Sequence, residues 1–267
     1  MGVPVSLTDS ERRDFDRDGF LLRRGALTSQ EADELARATE ELCVELVMHT
    51  SGDKRKYGSY VFQPARARDA YVSWESAERN VVMGVEPVVH LHPVFAAYGK
   101  HAALVAPSRA LLGLDELALF TEKLNVKRAG VGGPFALHQD YPYWKNGVAA
   151  EPERLLTAMV AIDAATRENG ALEVLAGSHR LGEVGGKNSN DAFERNEIDP
   201  AVFDTSQMTT VDMQPGDVLF FGPFLVHRSP PNRSARDRRA ILYTYQRAGL
   251  KTQRENTHSW IEADTTS

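Results

Sequence analysis

Cysteine is nearly absent from this chain of 267 residues, whose one copy is Cys43. A lone thiol excludes an internal disulfide and any cysteine-built zinc knuckle. No unbroken run approaches the roughly 18 apolar residues of a membrane span, so no membrane partner is expected. An excess of positive charge is missing too. The 31 Lys and Arg stand against 37 Asp and Glu, a formal charge of −6, which argues against a broad nucleic-acid surface. The opening MGVPVSLTDSERRDF lacks the apolar core of a secretory signal, so a reducing cytoplasm is the expected location. What is present is an ordinary globular composition, 42% hydrophobic and 25% charged, in a length that suits one domain spanning 1–267. Eight histidines beside one cysteine leave open a metal site made from imidazole.

Thr8 and Glu11 have the spacing of a capping box, and the helix they open is expected to stop at Gly19. A short strand should follow at 20–22. A second box, Thr28 with Glu31, opens a longer helix whose stripe is Ala32, Leu35, Ala36, Leu42, Cys43, Leu46 and Val47, which makes Cys43 a core thiol. Residues 51–82 are polar, with Lys54, Arg55, Lys56, Arg66 and Arg68 interleaved with Tyr57, Tyr60, Phe62, Tyr71 and Trp74. Given the acidic total, they read as a loop-rich wall of a small-molecule pocket. Helices are expected over 93–104 and 107–112.

After Gly113 the pattern changes to short runs rich in Val, Leu, Phe and Tyr at 117–127, 155–163, 172–175, 218–221 and 240–246. Turn residues separate them, as in an antiparallel sandwich or barrel. Gln214-Pro215-Gly216-Asp217 is one such turn. The long polar stretch 182–210 suits a lid. The expected division is therefore a mainly helical and loop wall over 1–113, a β core over 114–250 and a tail over 251–267.

The chemistry concentrates in three residues. On a strand, residues two apart share a face, so His138 and Asp140 can present an imidazole and a carboxylate to one point. His227 ends the apolar segment VLFFGPFLVH and supplies a second imidazole from a distant strand. Two histidines and one carboxylate form the facial triad that holds Fe(II) and leaves open positions. Gly130, Gly132, Gly133 and Pro134 lead into the first strand, where backbone can approach a ligand closely. Arg238, 11 residues after His227, heads the apolar strand RRAILYTYQ, a costly place for a guanidinium without an anion. Arg239 faces the opposite way, so only one of the pair can reach the pocket. Together these residues point to iron with a dicarboxylate co-substrate.

The segments FDRDGFLLRRGALTSQEADEL, LNVKRAGVGGPFALHQDYPYW, ENGALEVLAGSHR and QPGDVLFFGPFLVHRSPPNRSARDRRAILYTY resemble, in order, the motifs of the phytanoyl-CoA dioxygenase family of Fe(II)/2-oxoglutarate oxygenases. HQDYPYW is similar to the matching stretch of ectoine hydroxylase-like members. The resemblance implies a mainly β fold, a double-stranded β-helix or jelly roll of the cupin kind, with amino-terminal helices packed outside. It implies His138, Asp140 and His227 as iron ligands, and Arg238 with Ser229 on the distal carboxylate of 2-oxoglutarate. It also implies Asn125 near that co-substrate. The implied activity uses Fe(II), 2-oxoglutarate and O2 to hydroxylate a C–H bond of a small molecule, with release of succinate and CO2. Desaturation, epimerisation and ring closure are the alternative outcomes of the same cofactors. Related halogenases carry Gly or Ala where Asp140 stands.

Phe62, Gln63, Lys127, Tyr141 and Trp144 are the candidate substrate contacts, with Tyr143 beside them. Alternation along a strand would send Tyr141 and Tyr143 to one side and Trp144 to the other. His179 in the AGSHR turn is read as structural, because a third imidazole would block an open metal position. His49, His90, His92, His101 and His258 have no matching context and are read as surface or capping residues. Asn232-Arg233-Ser234 matches a glycosylation sequon but is read as loop composition.

Overall fold

Both capping boxes form. Thr8 Oγ1 accepts from the Glu11 backbone N–H at 3.2 Å, while Glu11 accepts from the Thr8 backbone N–H at 2.8 Å, opening α1 (Asp9–Asp18). Gly19 ends it in the left-handed region. Thr28 and Glu31 open α2 (Ser29–His49) in the same way. The buried face of α2 is Ala32, Leu35, Ala38, Thr39, Leu42, Cys43 and Leu46, whereas the expected Val47 is 39% exposed. Thr39 enters the core because its hydroxyl donates to the Leu35 carbonyl at 2.8 Å, which satisfies a group that polarity alone would place outside. The computed structural model describes residues 6–145, 148–191, 194–201, 203–253 and 255, so His258 and most of the 251–267 tail lie outside the described residues.

The strands in chain order are β1 (Phe20–Arg23), β2 (Arg55–Tyr57), β3 (Tyr60–Ala65), β4 (Ala70–Trp74), β5 (Val82–Glu86), β6 (Leu117–Lys127) and β7 (Phe135–His138). They continue with β8 (Leu156–Ala161), β9 (Glu173–Val174), β10 (Thr209–Thr210), β11 (Val218–Phe221), β12 (His227–Ser229) and β13 (Arg238–Arg247). Among the described residues they form a major sheet in the order β1-β11-β8-β13-β6-β5-β4-β3-β2 and a minor sheet in the order β10-β9-β12-β7, antiparallel throughout. Two facing antiparallel sheets with helices outside make the expected jelly roll.

Alternation gives the major sheet two different faces. Leu124, Val126, Val160, Phe220, Ile241 and Tyr243 point outward onto Leu35, Leu42 and Leu46 of α2 and onto Phe95 of α3 (Pro93–Tyr98). Met159, Ala161, Leu219, Phe221 and Ala240 point inward and pack with Val174 and Leu225. The helical region 93–112 breaks at Gly99 rather than before Pro107. His101 caps the Ala103 N–H at 3.2 Å and starts α4 (Ala102–Leu112), which carries Pro107 inside it.

Two expectations need correction. Residues 51–82 are not a loop-rich wall, because β2 to β5 form within 55–86 and lengthen one end of the major sheet, while β1 lengthens the other. Within 51–86 the basic residues and large aromatics alternate with Val61, Ala65, Ala70, Val72 and Val85, all buried. The density of charge hid a period-two pattern. The stretch 182–210 is packed rather than detached over its described residues. Ile198 N–H donates to Leu137 O at 2.7 Å, Glu197 bridges to His138, and Ile198 joins Leu137 and Val226 in a small core on the outer side of the minor sheet.

The turn before β11 forms as expected, with Asp217 N–H donating to Gln214 O at 3.0 Å and Gly216 at φ +86°. A Cβ on Gly216 would lie 2.3 Å from the Leu27 carbonyl oxygen. Gly216→Ala combines left-handed strain with a backbone clash, so it should lower stability by about 2–4 kcal/mol in urea denaturation. A loss of under about 0.5 kcal/mol, the range of a neutral surface change, would contradict this packing.

Candidate metal centre and anion clamp

β12 and β7 are neighbours in the minor sheet, and their register sets His227 directly opposite His138. The two rings lie 4.1 Å apart between centroids. Asp140 sits just beyond β7, at the head of the helical turn α5 (Tyr141–Trp144), and its Oδ1 is 3.7 Å from His138 Nε2 and 3.9 Å from His227 Nε2. One donor atom from each of the three residues lies within 4.8 Å of the others. They form the one such cluster among the described residues, and His179 is not part of it. His179 instead lies against Gly19 at the end of α1, with Nε2 3.3 Å from the Asp16 carbonyl.

The tautomers are fixed by the backbone. His138 Nδ1 is 2.7 Å from Ala136 O and His227 Nδ1 is 2.9 Å from Leu225 O. A carbonyl oxygen only accepts, so each Nδ1 carries the hydrogen and each Nε2 turns a lone pair toward the shared point. Burial first, then the repulsion that a second proton would meet beside His227, pushes His138 well below its usual range, which keeps the imidazole neutral. Burial also raises the Asp140 carboxyl. A divalent cation among the three would offset the cost of holding that carboxylate ionised, so the donor set fits a metal.

Gln139, between two of the three, is the residue that the sequence reasoning missed. It is completely buried on the opposite side, where Nε2 donates to Gly182 O at 2.8 Å and Phe224 O at 2.7 Å while Oε1 accepts from Val184 N–H at 2.8 Å. This anchor pins the backbone that carries His138 and Asp140. Its position between two ligands was the available signal.

Facing the triad across the interior, β13 and β6 pair so that Arg238 opposes Lys127 and Ala240 opposes Asn125. Arg238 is 2% exposed, and no ion pair reaches it among the described residues. Burial lowers its guanidinium to about 10. Arg239 turns to the outer face, as expected, with Nε and Nη2 each 2.7 Å from the Asp163 carboxylate and Nη1 2.8 Å from Glu40 of α2. Arg238 Nη2, Ser229 Oγ and Asn125 Oδ1 are all buried with no hydrogen-bond partner among the described residues. Three orphaned polar atoms in one interior are costly unless a ligand satisfies them. A carboxylate would take donors from the arginine and the serine, so the set fits a dicarboxylate acid.

Lys127 is fully buried beside this clamp. Its Nζ donates to Pro230 O at 2.6 Å and Ser229 O at 3.3 Å and lies 5.2 Å over the Phe135 ring. Desolvation, with Arg238 second and Glu75 opposing, lowers its ammonium to about 6. Gly132 makes room for it, since a Cβ there would fall 2.7 Å from Lys127 Cα.

The other candidate contacts divide. Tyr143 stands edge-on to the His138 ring at 5.8 Å, and Tyr60 lies 6.1 Å from Phe135 and 6.2 Å from Phe62. Gln63 is tied to Gly52 O at 2.7 Å. Tyr141 stacks on Phe224 at 4.4 Å, and Trp144 packs edge-on to Phe120 at 5.7 Å in a satellite core. Strand alternation does not extend to Tyr141, Tyr143 and Trp144, because Pro142 starts a helical turn there. A cavity of about 890 Å3 borders Phe135 and Ser229 along the minor sheet, but no triad residue lines it.

Comparison with known proteins agrees with this geometry. A methylphosphonate hydroxylase of Gimesia maris is 27% identical over 268 residues, covering 98% of this chain and 91% of the relative. The fold is shared with EctD from S. alaskensis, solved with 2-oxoglutarate and 5-hydroxyectoine, at a TM-score of 0.70 and 21% identity over 90% of this chain and 76% of EctD. It is shared as well with SnoK, a non-heme alpha ketoglutarate dependent carbocyclase from nogalamycin biosynthesis. That TM-score is 0.71, at 17% identity over 98% and 93% of the two chains. The Phytanoyl-CoA dioxygenase (PhyH) profile matches residues 15–240, and the chain belongs to that family.

Proposed function

We propose that the protein is an Fe(II)- and 2-oxoglutarate-dependent dioxygenase that hydroxylates an unactivated C–H bond of a small polar metabolite, with residues 1–267 forming one catalytic domain. The observation that carries this reading is the pairing of a three-donor cluster with an orphaned arginine–serine–asparagine set across one interior. His138, Asp140 and His227 would hold Fe(II), while Arg238, Ser229 and Asn125 would hold 2-oxoglutarate. The bound iron and co-substrate would supply the oxidising power, with the substrate, 2-oxoglutarate and O2 converted to the hydroxylated product, succinate and CO2. The chain's own residues do the positioning. The backbone bonds at both Nδ1 atoms aim the imidazoles, Gln139 holds the strand end, and Phe135, Tyr60 and Tyr143 exclude water on the His138 side. Asp140 fills the ligand position that halogenases leave vacant, which supports hydroxylation. The Gimesia relative and EctD support a small metabolite as substrate, rather than nucleic acid. A cytoplasmic location suits Cys43, whose buried thiol desolvation raises to about 11.

The direct test is succinate formation with an accepted metabolite. It should require Fe(II) and 2-oxoglutarate together, and product mass should show one added oxygen rather than the loss of two hydrogens. His138→Ala and Asp140→Ala should each lower turnover by at least roughly 100-fold. Iron-independent succinate formation would contradict the assignment. Arg238→Gln removes the partner of a buried anion, so KM for 2-oxoglutarate should rise about 100-fold while iron affinity stays near that of the wild type. An equal loss in iron affinity would contradict the division of roles.

Lys127 adds a pH dependence. With its ammonium lowered to about 6, it is neutral in the empty clamp at pH 8. A dianion beside Arg238 raises that value, so binding draws a proton onto Lys127. By linkage, 2-oxoglutarate affinity should fall as pH rises from about 6 toward 8 and level off below about 6, where the lysine is already charged. Calorimetry at pH 7.5 in buffers of different ionisation enthalpy should register proton uptake on binding. Zero uptake would contradict it.

A further inference from the structure

β6 turns three side chains toward the interior, Lys123, Asn125 and Lys127, opposite Leu242, Ala240 and Arg238 of β13. Two of the three are accounted for. Lys127 is bound to backbone carbonyls, and Asn125 carries an orphaned oxygen in the clamp. Lys123 is different. It is half-buried, its Nζ lies 5.5 Å from the Phe135 ring centroid, and no carboxylate comes within ion-pair distance among the described residues. Its charge reaches the metal centre all the same, since it acts on both His138 and Asp140. Of the nearby acids, Glu86 also acts on Asp140, but its Oε1 accepts from Thr121 Oγ1 at 2.8 Å.

The surroundings have the shape of a binding wall. Phe135, Tyr60, Phe62 and Tyr143 make one side of it aromatic. On the neighbouring strand β5, Gly84 lies opposite Asn125, and a Cβ there would crowd the Leu124 carbonyl oxygen at 3.0 Å while touching Asn125 Oδ1 at 3.5 Å and Lys123 Cε at 3.7 Å, so glycine lets the two strands close up beside these side chains. An ammonium in such a wall is favourable mainly when an anion comes to it, with the charge-assisted bond strengthened by partial desolvation.

2-Oxoglutarate does not supply that anion under the proposed function, on which this inference rests. Its distal carboxylate is taken by Arg238 and Ser229, and its other end belongs to the metal. We propose that Lys123 binds an oxyanion on the primary substrate, a phosphonate or carboxylate, and so selects acidic metabolites over neutral ones. The aromatic side would then hold the organic part while the anion fixes which carbon lies near the metal.

The test uses protein loaded with Fe(II) and 2-oxoglutarate without oxygen, so that binding is read with no turnover. Calorimetry would measure methyl- and propylphosphonate, the matching carboxylates acetate and butyrate, and the neutral esters of all four, dimethyl for the phosphonates and methyl for the carboxylates. The expected result is binding of one acid class or both but not of the esters, the phosphonate and carboxylate arms showing which oxyanion is preferred. Lys123→Met should weaken that binding about 30-fold or more, and Lys123→Arg should restore it to within about fivefold. The visible charge-transfer band of Fe(II) with 2-oxoglutarate serves as the folding control and should persist in both variants. Wild-type affinity in Lys123→Met, equal binding of the esters, or no binding of any acid would overturn the proposal. Loss of the charge-transfer band in Lys123→Met alone would also overturn it, by moving the lysine into the co-substrate clamp. Absence of that band in the wild type would overturn the functional reading and this inference with it.

Discussion

The antiparallel pairing of β12 with β7 is the contact on which the rest of the site depends. It alone sets His227 across from His138, two residues 89 positions apart in the chain. Each imidazole is then oriented by a carbonyl two residues earlier in the chain, Ala136 within β7 for one and Leu225 just before β12 for the other. The third donor needs no separate element, because Asp140 follows as the chain leaves β7 for a helical turn. Gln139 keeps that exit in place with three hydrogen bonds to flanking loops, and Ser178 Oγ accepts from Val226 N–H at 2.9 Å just before His227. Slipping the pair by one residue would turn His227 to the outer side and leave Arg228 in its place.

The same rule of alternation separates charge on the major sheet. Arg238 and Arg239 are chain neighbours with opposite fates. Arg239 is locked to Asp163 and Glu40, and the network continues through Glu40 to Arg128 and Asp237, which fastens α2 to the sheet. Arg238 is left inside without a counter-ion among the described residues. The outer network stabilises the fold, and the inner guanidinium holds its charge for a ligand. A buried unpaired charge is unfavourable for folding alone, so its presence is best understood through function.

Much of this was legible in the sequence because it follows short periods and local chemistry. The two capping boxes, the strands at 117–127 and 218–221, and the opposite facing of Arg238 and Arg239 all follow from spacing within a few residues. The β2 to β5 meander was not legible, since its Lys, Arg and Tyr residues mask the small buried ones between them. Trp144 and Tyr141 follow a strand in sequence but stand on a helical turn, so a period of two assigned their directions incorrectly. Gln139 and Lys123 are ordinary polar residues by type. Only the fold shows that one is walled in behind two metal-ligand candidates while the other faces the same interior with no anion in ion-pair reach among the described residues.

Cobalt(II) substitution followed by visible absorption tests the central claim most directly, that β7 and β12 assemble a three-donor site with open positions. Titration should saturate at one Co(II) per chain with the weak d–d bands of a six-coordinate ion, and His227→Ala, remote from the other two donors in sequence, should abolish that saturation. The absence of stoichiometric binding, intense bands of a closed tetrahedral site, or undiminished binding by His227→Ala would contradict it.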